Sequence, residues 1–269
     1  MALVAAVQIN GSADVERNLA STERLVRAAA RAGAQLVATP EATTYLGPHD
    51  RKVALAEPID GPTHKRLGAL AAELGITLLV GSVAERLDDT RAWNTSLLFG
   101  PDGALRARYR KLHLFDVDLA AQGGVRFFES ERTAAGDGVV VVDTPVGRLG
   151  LSICYDLRFP ELYRALTDQG AQLLAVPSAF TLMTGKDHWD VLLRARAIEC
   201  QAWVIAPAQW GPHDDGGLRR SYGRACVIDP WGTVVAACGD GEGWCLAEVD
   251  LERQAEIRAA MPVARHRRL

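Results

Sequence analysis

Short apolar runs alternate with amphipathic segments along this chain, and that alternation limits its fold more than any other feature. Residues 3–9 and 35–39 are typical of buried strands, and residues 14–33 between them have the apolar spacing of a helix. Such strand–helix–strand units indicate parallel crossovers. Two further strand pairs flank tight-turn sequences at residues 101–103 and 144–147, which indicates hairpins. The pattern therefore predicts mixed sheets that carry helices on their outer faces.

The remaining predicted elements continue this alternation. Residues 116–137 have little apolar periodicity, so we expect a long functional loop there. The glycine-rich residues 239–243 are expected to form a hairpin turn rather than a phosphate site. The predicted helices are 14–33, 62–75, 160–168 and 186–201, and the predicted strands are 3–9, 35–39, 76–83, 93–99, 104–109, 139–143, 148–153, 172–176, 203–207, 225–228, 233–237 and 245–249.

Composition excludes several classes of protein. The 269 residues are 48% hydrophobic and 23% charged, which suits one α/β domain spanning residues 1–269. A net charge of −3, with basic residues interleaved among acids, disfavours nucleic-acid binding. Without a basic leader or an apolar run of roughly 18 residues, we expect a cytoplasmic protein that makes no membrane contact. The five cysteines and six histidines lack zinc-ligand spacing, so neither a metal site nor a disulfide is expected.

Cys154 is the most informative single residue. It ends the apolar run 150–154 and opens the polar stretch 155–163, where the chain turns directly toward a predicted helix. An α/β protein displays a nucleophile at such a strand end. Glu41 and Lys111 also follow predicted strands, and Glu129 lies in the predicted loop beyond. Because ligands bind at the carboxyl ends of strands in open α/β sheets, these residues are candidate site residues.

Thiol, carboxylate and amine together supply the parts of covalent acyl transfer: a nucleophile, a base and a cation for the oxyanion. Each residue also has a structural alternative, since free cysteines are commonly buried in cores and isolated charges are commonly solvated. His113 raises the alternative of a Cys/His protease, although the flanking glycine and tryptophan of papain-like enzymes are missing. Spacing alone leaves these alternatives open.

Three ordered motifs resemble the nitrilase, or carbon–nitrogen hydrolase, superfamily. They are Pro40-Glu41, residues 109–116 (YRKLHLFD) and residues 154–161 (CYDLRFPE), and the similarity continues through residues 177–181, 184–189, 192–199, 221–223 and 229–232. The later blocks are most similar to the Nit branch and its deaminated glutathione amidases, with the ω-amidases as neighbours. The resemblance implies a four-layer αββα sandwich of two mixed sheets with helices outside, and a homodimer, with higher homo-oligomers as the alternative.

The same resemblance implies roles for individual residues. Cys154 would be the nucleophile, Glu41 the general base, and Lys111 the cation that stabilises the tetrahedral intermediate. Glu129 would be a second glutamate that positions substrate and catalytic groups, although residues 118–124 before it differ from relatives. No metal or organic cofactor is implied. The backbone N–H of Tyr155 would complete the oxyanion site.

The implied reaction hydrolyses the amide of a 2-oxo-dicarboxylate through a thioester, most closely deaminated glutathione to 2-oxoglutarate and Cys-Gly. A small substrate with carboxylates predicts a cationic clamp, for which Arg158, Arg194 and Arg196 are candidates, and an ion pair near the nucleophile is the structural alternative for Arg158. Tyr155, Phe180 and Thr184 are expected to line the pocket. The alternatives are an ω-amidase acting on 2-oxoglutaramate, a cysteine-dependent acyltransferase, and a catalytically silent module on the same scaffold.

Overall fold

The computed structural model describes residues 2–118, 126–213 and 219–268. Its helices are α1 (Val15–Arg31), α2 (His49–Ala54), α3 (Pro62–Leu74), α4 (Pro160–Asp168), α5 (Leu182–Cys200), α6 (Leu251–Ala260) and α7 (Val263–His266). Its strands are β1 (Ala2–Ile9), β2 (Leu36–Ala38), β3 (Thr77–Arg86), β4 (Ala92–Phe99), β5 (Leu105–Arg110), β6 (Asp116–Asp118), β7 (Arg126–Phe128), β8 (Thr133–Ala134), β9 (Val141–Thr144), β10 (Gly147–Leu151), β11 (Leu173–Ala175), β12 (Trp203–Ala206), β13 (Ala208–Pro212), β14 (Arg220–Tyr222), β15 (Cys226–Ile228), β16 (Val234–Ala237) and β17 (Gly243–Val249).

Two large mixed sheets form the centre of the fold. The first has the order β14-β13-β1-β2-β3-β4-β5, with β17 also paired to β1 and β8 to β4, and the second has the order β16-β15-β12-β11-β10-β9. Within them, β1-β2-β3 and β10-β11-β12 run parallel, whereas β4-β5 and β9-β10 are antiparallel hairpins. The predicted combination of crossovers and hairpins is therefore confirmed.

The alternation of side chains along β1 explains why the first sheet lies between a layer of helices and the second sheet. Ala5, Val7 and Ile9 lie in an apolar cluster with residues of α1 and α3, whereas Val4 and Ala6 lie in the cluster shared with the second sheet. Successive side chains of a strand point to opposite faces, so the first sheet packs against helices on one side and against the second sheet on the other. Helices α4 and α5 contact β10 and β12 of the second sheet. The αββα prediction is confirmed.

Local sequence fixes the ends of the helices that cover the first sheet. Asp14 caps α1 by accepting a hydrogen bond from the backbone N–H of Arg17 at 3.1 Å. Pro62 occupies the first turn of α3, and Gly75 ends that helix with φ +63°, a left-handed conformation that glycine adopts without steric cost. These boundaries agree with the predicted limits 14–33 and 62–75.

Several predictions differ from the structure. Residues 239–243 are not a hairpin turn, because β16 pairs with β15 in the second sheet whereas β17 pairs with β1 in the first. Residues 116–137 are not one loop, because β6 pairs antiparallel with β7; residues 119–125 of that prediction lie outside the described residues. The sequence reading also missed α2, α6, α7, β13 and β14.

Within residues 2–118, 126–213 and 219–268, no helix combines the length and apolar character needed to traverse a membrane.

Candidate active site

The four predicted catalytic residues meet in one cavity. Glu41 follows β2, Lys111 follows β5, Glu129 follows β7, and Cys154 follows β10 after a short extended segment. Because β3 is parallel to β2 and two antiparallel pairings separate β3 from β5, the C-terminal ends of β2 and β5 lie at the same edge of the first sheet. None of the four residues is more than 8% exposed. The structure therefore brings together the side chains that the sequence singled out.

Lys111 is held between two carboxylates. Its Nζ lies 2.9 Å from Oε1 of Glu41 and 2.9 Å from Oε2 of Glu129. The backbone N–H of Phe115 donates to the same oxygen of Glu129 at 2.9 Å. Because the two carboxylates contact the Lys111 ammonium from both sides, they hold it in one position in the cavity that contains the Cys154 thiol.

Asn94 is a site residue that sequence reasoning missed. Its Nδ2 donates to Oε1 of Glu41 at 2.9 Å and to Oε1 of Glu129 at 3.0 Å, so one amide bridges both carboxylates. Asn94 lies near the start of β4 and is 5% exposed. The only available signal was a polar side chain within a buried strand, and such a group requires a hydrogen-bond partner.

Glu41 is held from two directions in addition to the lysine and asparagine contacts. Its Oε2 accepts the backbone N–H of Ala179 at 3.0 Å, and Gln209 donates to its backbone carbonyl at 2.9 Å. The Cys154 thiol lines the same cavity, where the Glu41 carboxylate raises its pKa. This arrangement places the carboxylate where it can take the thiol proton.

Burial and the neighbouring Glu41 carboxylate raise the pKa of Cys154 well above its usual range, and the Lys111 ammonium opposes them only in part. In the structure burial and glutamate dominate, so the resting nucleophile is a neutral thiol. A thiol at neutral pH needs a base in the same step in which it attacks.

The two charges beside the thiol have strongly shifted pKa values of their own. Burial disfavours the charged form of Lys111, but the attraction of Glu129 and Glu41 outweighs burial and raises the pKa of Lys111 well above the ordinary value. Burial likewise opposes the Glu129 carboxylate, yet Lys111 and Lys52 lower its pKa to about 2. Lys111 is therefore a permanent cation and Glu129 a permanent anion at neutral pH.

The backbone around the nucleophile is unusual. Cys154 has φ +48°, a conformation that is uncommon for a residue other than glycine, and its N–H donates to the carbonyl of Pro177 at 2.9 Å. Fully buried Asp156 holds the turn by accepting the Tyr109 hydroxyl at 2.7 Å and the backbone N–H of Ile153 at 2.8 Å. Such strain at a turn is characteristic of functional positions. Asp156 was missed because only the folded chain gathers its donors.

His113 does not support the Cys/His protease alternative. Its Nδ1 lies 2.7 Å from Oδ1 of Asp156, and its ring stacks on Phe159 with centroids 3.7 Å apart. These contacts fix the imidazole against the turn beyond the nucleophile. In the described structure the base that interacts with the thiol is Glu41.

All four predicted substrate-binding residues, Tyr155, Arg158, Phe180 and Thr184, line the same cavity. The Arg158 guanidinium lies 5.8 Å from the ring centroid of Tyr155 and 5.3 Å from that of Phe180, and it donates to Nδ1 of His188 at 3.3 Å. No carboxylate in the described chain forms an ion pair with Arg158, which disfavours the structural alternative of an ion pair.

The other two predicted arginines serve packing. Arg196 is buried and donates to the carbonyl of Leu157 at 2.8 and 3.1 Å, and it pairs with Glu199 at 2.8 Å. Arg194 donates to the carbonyl of Gly232 at 2.8 Å. Neither residue lines the cavity that contains Cys154.

The sequence and fold are similar to those of known carbon–nitrogen hydrolases. A model of the carbon–nitrogen hydrolase family matches residues 3–259. The deaminated glutathione amidase of Homo sapiens is 44% identical over 272 residues, covering 99% of this chain and 82% of that protein, and the omega-amidase NIT2 of Xenopus tropicalis is 41% identical over 255 residues, covering 93% and 89%. The crystal structure of the C. elegans NitFhit protein superposes with a TM-score of 0.91 at 42% identity, and this chain spans 66% of its length.

Proposed function

The chain belongs to the carbon–nitrogen hydrolase family, and we propose that it is a cysteine-dependent amidase that cleaves deaminated glutathione to 2-oxoglutarate and Cys-Gly. As a member of that family it hydrolyses carbon–nitrogen bonds other than peptide bonds. The substrate assignment is supported by full-length relatives that are named deaminated glutathione amidase in Homo sapiens and in Synechocystis.

One observation carries the proposal. The Cys154 thiol lies in one cavity with the Glu41 carboxylate, whose charge raises the pKa of the thiol, and Oε1 of that carboxylate lies 2.9 Å from the Lys111 ammonium. A thiol with a raised pKa, a base in the same cavity and a permanent cation beside that base suit attack on a neutral amide carbonyl. A structural cysteine would require none of these partners.

The acylation step follows from these positions. Glu41 takes the proton from Cys154 as Sγ attacks the amide carbonyl carbon, and the oxyanion is stabilised by Lys111 and the backbone N–H of Tyr155. Glu41 then gives its proton to the departing nitrogen as the carbon–nitrogen bond breaks. The acyl group remains as a thioester on Cys154, and the amine leaves.

Deacylation repeats the sequence with water. Glu41 takes a proton from a water molecule that attacks the thioester carbonyl, and Lys111 again stabilises the oxyanion. The carbon–sulfur bond breaks, and the sulfur recovers its proton from Glu41. Glu129 stays ionised throughout. Together with Asn94, it holds Lys111 and Glu41 in their positions.

The cavity walls suit an anionic substrate. Tyr155, Phe180 and Thr184 provide aromatic and hydroxyl surfaces beside the nucleophile, and Arg158 adds a cation at the same wall. A guanidinium binds a carboxylate through paired hydrogen bonds, so Arg158 is assigned to one of the substrate carboxylates. The similarity to an omega-amidase of Xenopus tropicalis favours 2-oxoglutaramate as a second candidate substrate.

The test measures product release from deaminated glutathione and from 2-oxoglutaramate side by side, with Cys154→Ala as the control for contaminating activity. A higher kcat/KM for the peptide amide, lost in the variant, supports the proposal, whereas preference for the small amide moves the assignment to ω-amidase. Free acid formed in buffer without any added acceptor identifies hydrolysis, because an acyltransferase would turn over only when a nucleophile such as hydroxylamine takes the acyl group from the thioester.

We also propose that the protein is a homodimer. Val191 on α5, Trp231 and Val235 are 67%, 59% and 45% exposed, respectively. The turn that carries Trp231 packs on α5, because the carbonyl of Gly232 accepts a hydrogen bond from Arg194, and contiguous exposed apolar surface is characteristic of interfaces between chains. Light scattering of the purified protein measures the oligomeric state directly.

Two further parts of the proposal concern the chain as a whole. A single domain over residues 1–269 is supported by the first sheet, which contributes side chains to both apolar clusters. A cytoplasmic location is supported by five free cysteines, because thiols persist in a reducing compartment.

A further inference from the structure

A second lysine faces the catalytic cavity. Lys52 lies on α2, lines the cavity that contains Cys154, and donates from Nζ to Oγ1 of Thr133 at 3.4 Å. Among the residues that the structure describes, none places a carboxylate in ion-pair contact with this ammonium. Lys111, in contrast, contacts two carboxylates in the same cavity.

Sheet register shows how far Lys52 lies from the reacting groups. Thr133 on β8 pairs with Ala92 on β4, and Asn94 is two residues further along β4 on the same face. Two residues of a strand span about 7 Å. Since neighbouring strands lie about 4.8 Å apart, the Cα atom of Thr133, the hydrogen-bond partner of Lys52, lies about 8 Å from the Cα atom of Asn94, which holds Glu41 and Glu129.

The catalytic carboxylates are already occupied by other donors. Both oxygens of Glu129 accept hydrogen bonds, one from Asn94 and the other from Lys111 and the Phe115 backbone. Oε1 of Glu41 accepts hydrogen bonds from Asn94 and Lys111, and Oε2 accepts one from the backbone N–H of Ala179. An ammonium has three N–H donors. The Thr133 hydroxyl accepts one of the three from Lys52, which leaves donors that face the cavity.

The charges around Lys52 favour binding of an additional anion beside its ammonium. Burial lowers the pKa of Lys52, the cations Lys111 and Arg219 lower it further, and the carboxylates Glu129 and Glu41 compensate only in part. A ligand carboxylate beside the ammonium would remove this penalty, since an opposite charge at close range favours the charged form.

Dimensions identify which carboxylate of the substrate this is. In a five-carbon 2-oxo acid amide, the carboxyl carbon lies four bonds, or about 5 Å, from the scissile carbonyl carbon. Lys52 and Cys154 line the same cavity, so a carboxylate about 5 Å from the carbon that Cys154 attacks stays within the cavity that the ammonium faces. The glycyl carboxylate of the leaving dipeptide lies two residues away, about 7 Å, and on the amine side of the scissile bond.

Resting on the proposed amidase function, we infer that Lys52 binds the 2-oxo acid carboxylate of the acyl group and thereby selects amides of dicarboxylic acids. Lys52 is thus a specificity-determining residue. It takes no part in proton transfer, and it acts on the affinity for the acidic end of the substrate.

A charge-only comparison tests this role. The variant Lys52→Met is assayed with 2-oxoglutaramate and with the corresponding diamide, in which a neutral amide replaces the carboxylate without changing its shape. Loss of a charged hydrogen bond predicts that KM for the acid rises about tenfold or more while KM for the diamide and both kcat values change little. Lys52→Arg should restore part of the affinity, and Lys65→Met on the exposed face of α3 is the matched control.

An equal rise of KM for the acid and the diamide would show a structural role for Lys52 and overturn the inference, as would no change for either. A binding experiment separates this outcome from failure of the proposed amidase function. Calorimetry with 2-oxoglutarate and Cys154→Ala should give binding that Lys52→Met weakens about tenfold. Absence of binding, or binding that ignores Lys52→Met, contradicts the role of Lys52 whether or not deaminated glutathione is hydrolysed.

Discussion

Nζ of Lys111 lies 2.9 Å from Oε1 of Glu41, although 70 positions separate the two residues in the sequence. The contact brings a permanent cation to the base that faces the Cys154 thiol. It links the ends of β2 and β5 at one edge of the first sheet. The sheet thus positions base and cation independently of the substrate, which is the condition for electrostatic stabilisation of an oxyanion.

Glu41→Gln should abolish most turnover without disrupting the fold. Glutamine has nearly the same shape but cannot take the thiol proton, and a general base contributes about 10²- to 10⁴-fold to rate. We expect kcat to fall by that factor and the melting temperature to change little. Glu73→Gln, an exposed member of an ion pair with Arg27, is the matched control and should keep full activity. A Glu41→Gln enzyme with wild-type kcat would exclude Glu41 as the base.

The same Glu41→Gln variant should lower the pKa of Cys154. Burial and the Glu41 carboxylate both raise that pKa in the wild type, and the substitution removes the carboxylate but keeps Lys111. Thiolate absorbance in the ultraviolet, measured against pH with Cys154→Ala as the reference, should rise at lower pH in the variant. The variant would therefore hold more thiolate and yet turn over more slowly. An unchanged titration would show that the carboxylate does not act on the thiol.

Asn94→Leu should reduce both activity and stability. The substitution removes the donor shared by Glu41 and Glu129 and leaves one acceptor position on each carboxylate without its partner. Loss of a buried hydrogen bond to charged groups costs about 1–3 kcal/mol, which urea unfolding would measure, and misplacement of the base should lower kcat. Ser96→Ala on the same strand removes a hydrogen bond to the Val80 carbonyl outside the site. If both variants lost activity equally, the bridging role of Asn94 would be wrong.

Glu129 should contribute to acid denaturation. Its pKa in the folded protein is lowered to about 2, below the roughly 4.3 of an unfolded glutamate. The carboxylate therefore stabilises the fold above its unfolded pKa, and this contribution is lost as the pH falls from about 4 to about 2. The free energy of unfolding, followed by urea titration across that range, should depend less on pH in Glu129→Gln than in the wild type. Glu131→Gln, an exposed neighbour in the same turn, should leave the dependence unchanged.

The residues that could be predicted from the sequence carry reactive groups directly after predicted strands. Cys154 and Glu41 each follow an apolar run that is visible in the chain, Lys111 follows a predicted hairpin strand, and the structure places all three in one cavity. Glu41 and Lys111 follow β2 and β5, which end at one edge of the first sheet, whereas Cys154 follows β10 of the second sheet, and its place beside them was implied by the family resemblance. Their roles in catalysis remain predictions for the experiments above.

Residues defined by their partners could not be found in this way. Asn94 is one polar residue within a strand, and only the folded sheet shows that it faces two glutamates. Asp156 and Lys52 resemble ordinary surface charges in the sequence, because burial of their side chains depends on elements far away in the chain. The hairpin prediction at residues 239–243 failed for a similar reason, since local turn residues do not reveal that β16 and β17 pair in different sheets.

During turnover, Cys154 should carry the acyl group of a 2-oxo acid amide as a thioester. The most direct measurement is mass spectrometry of the protein after acid quenching during turnover of deaminated glutathione, followed by peptide mapping. We expect an increase equal to one 2-oxoglutaryl group on the peptide that contains Cys154, and neither adduct nor 2-oxoglutarate release with Cys154→Ala. Release of 2-oxoglutarate that persists in Cys154→Ala, or an adduct on another residue, would contradict the account.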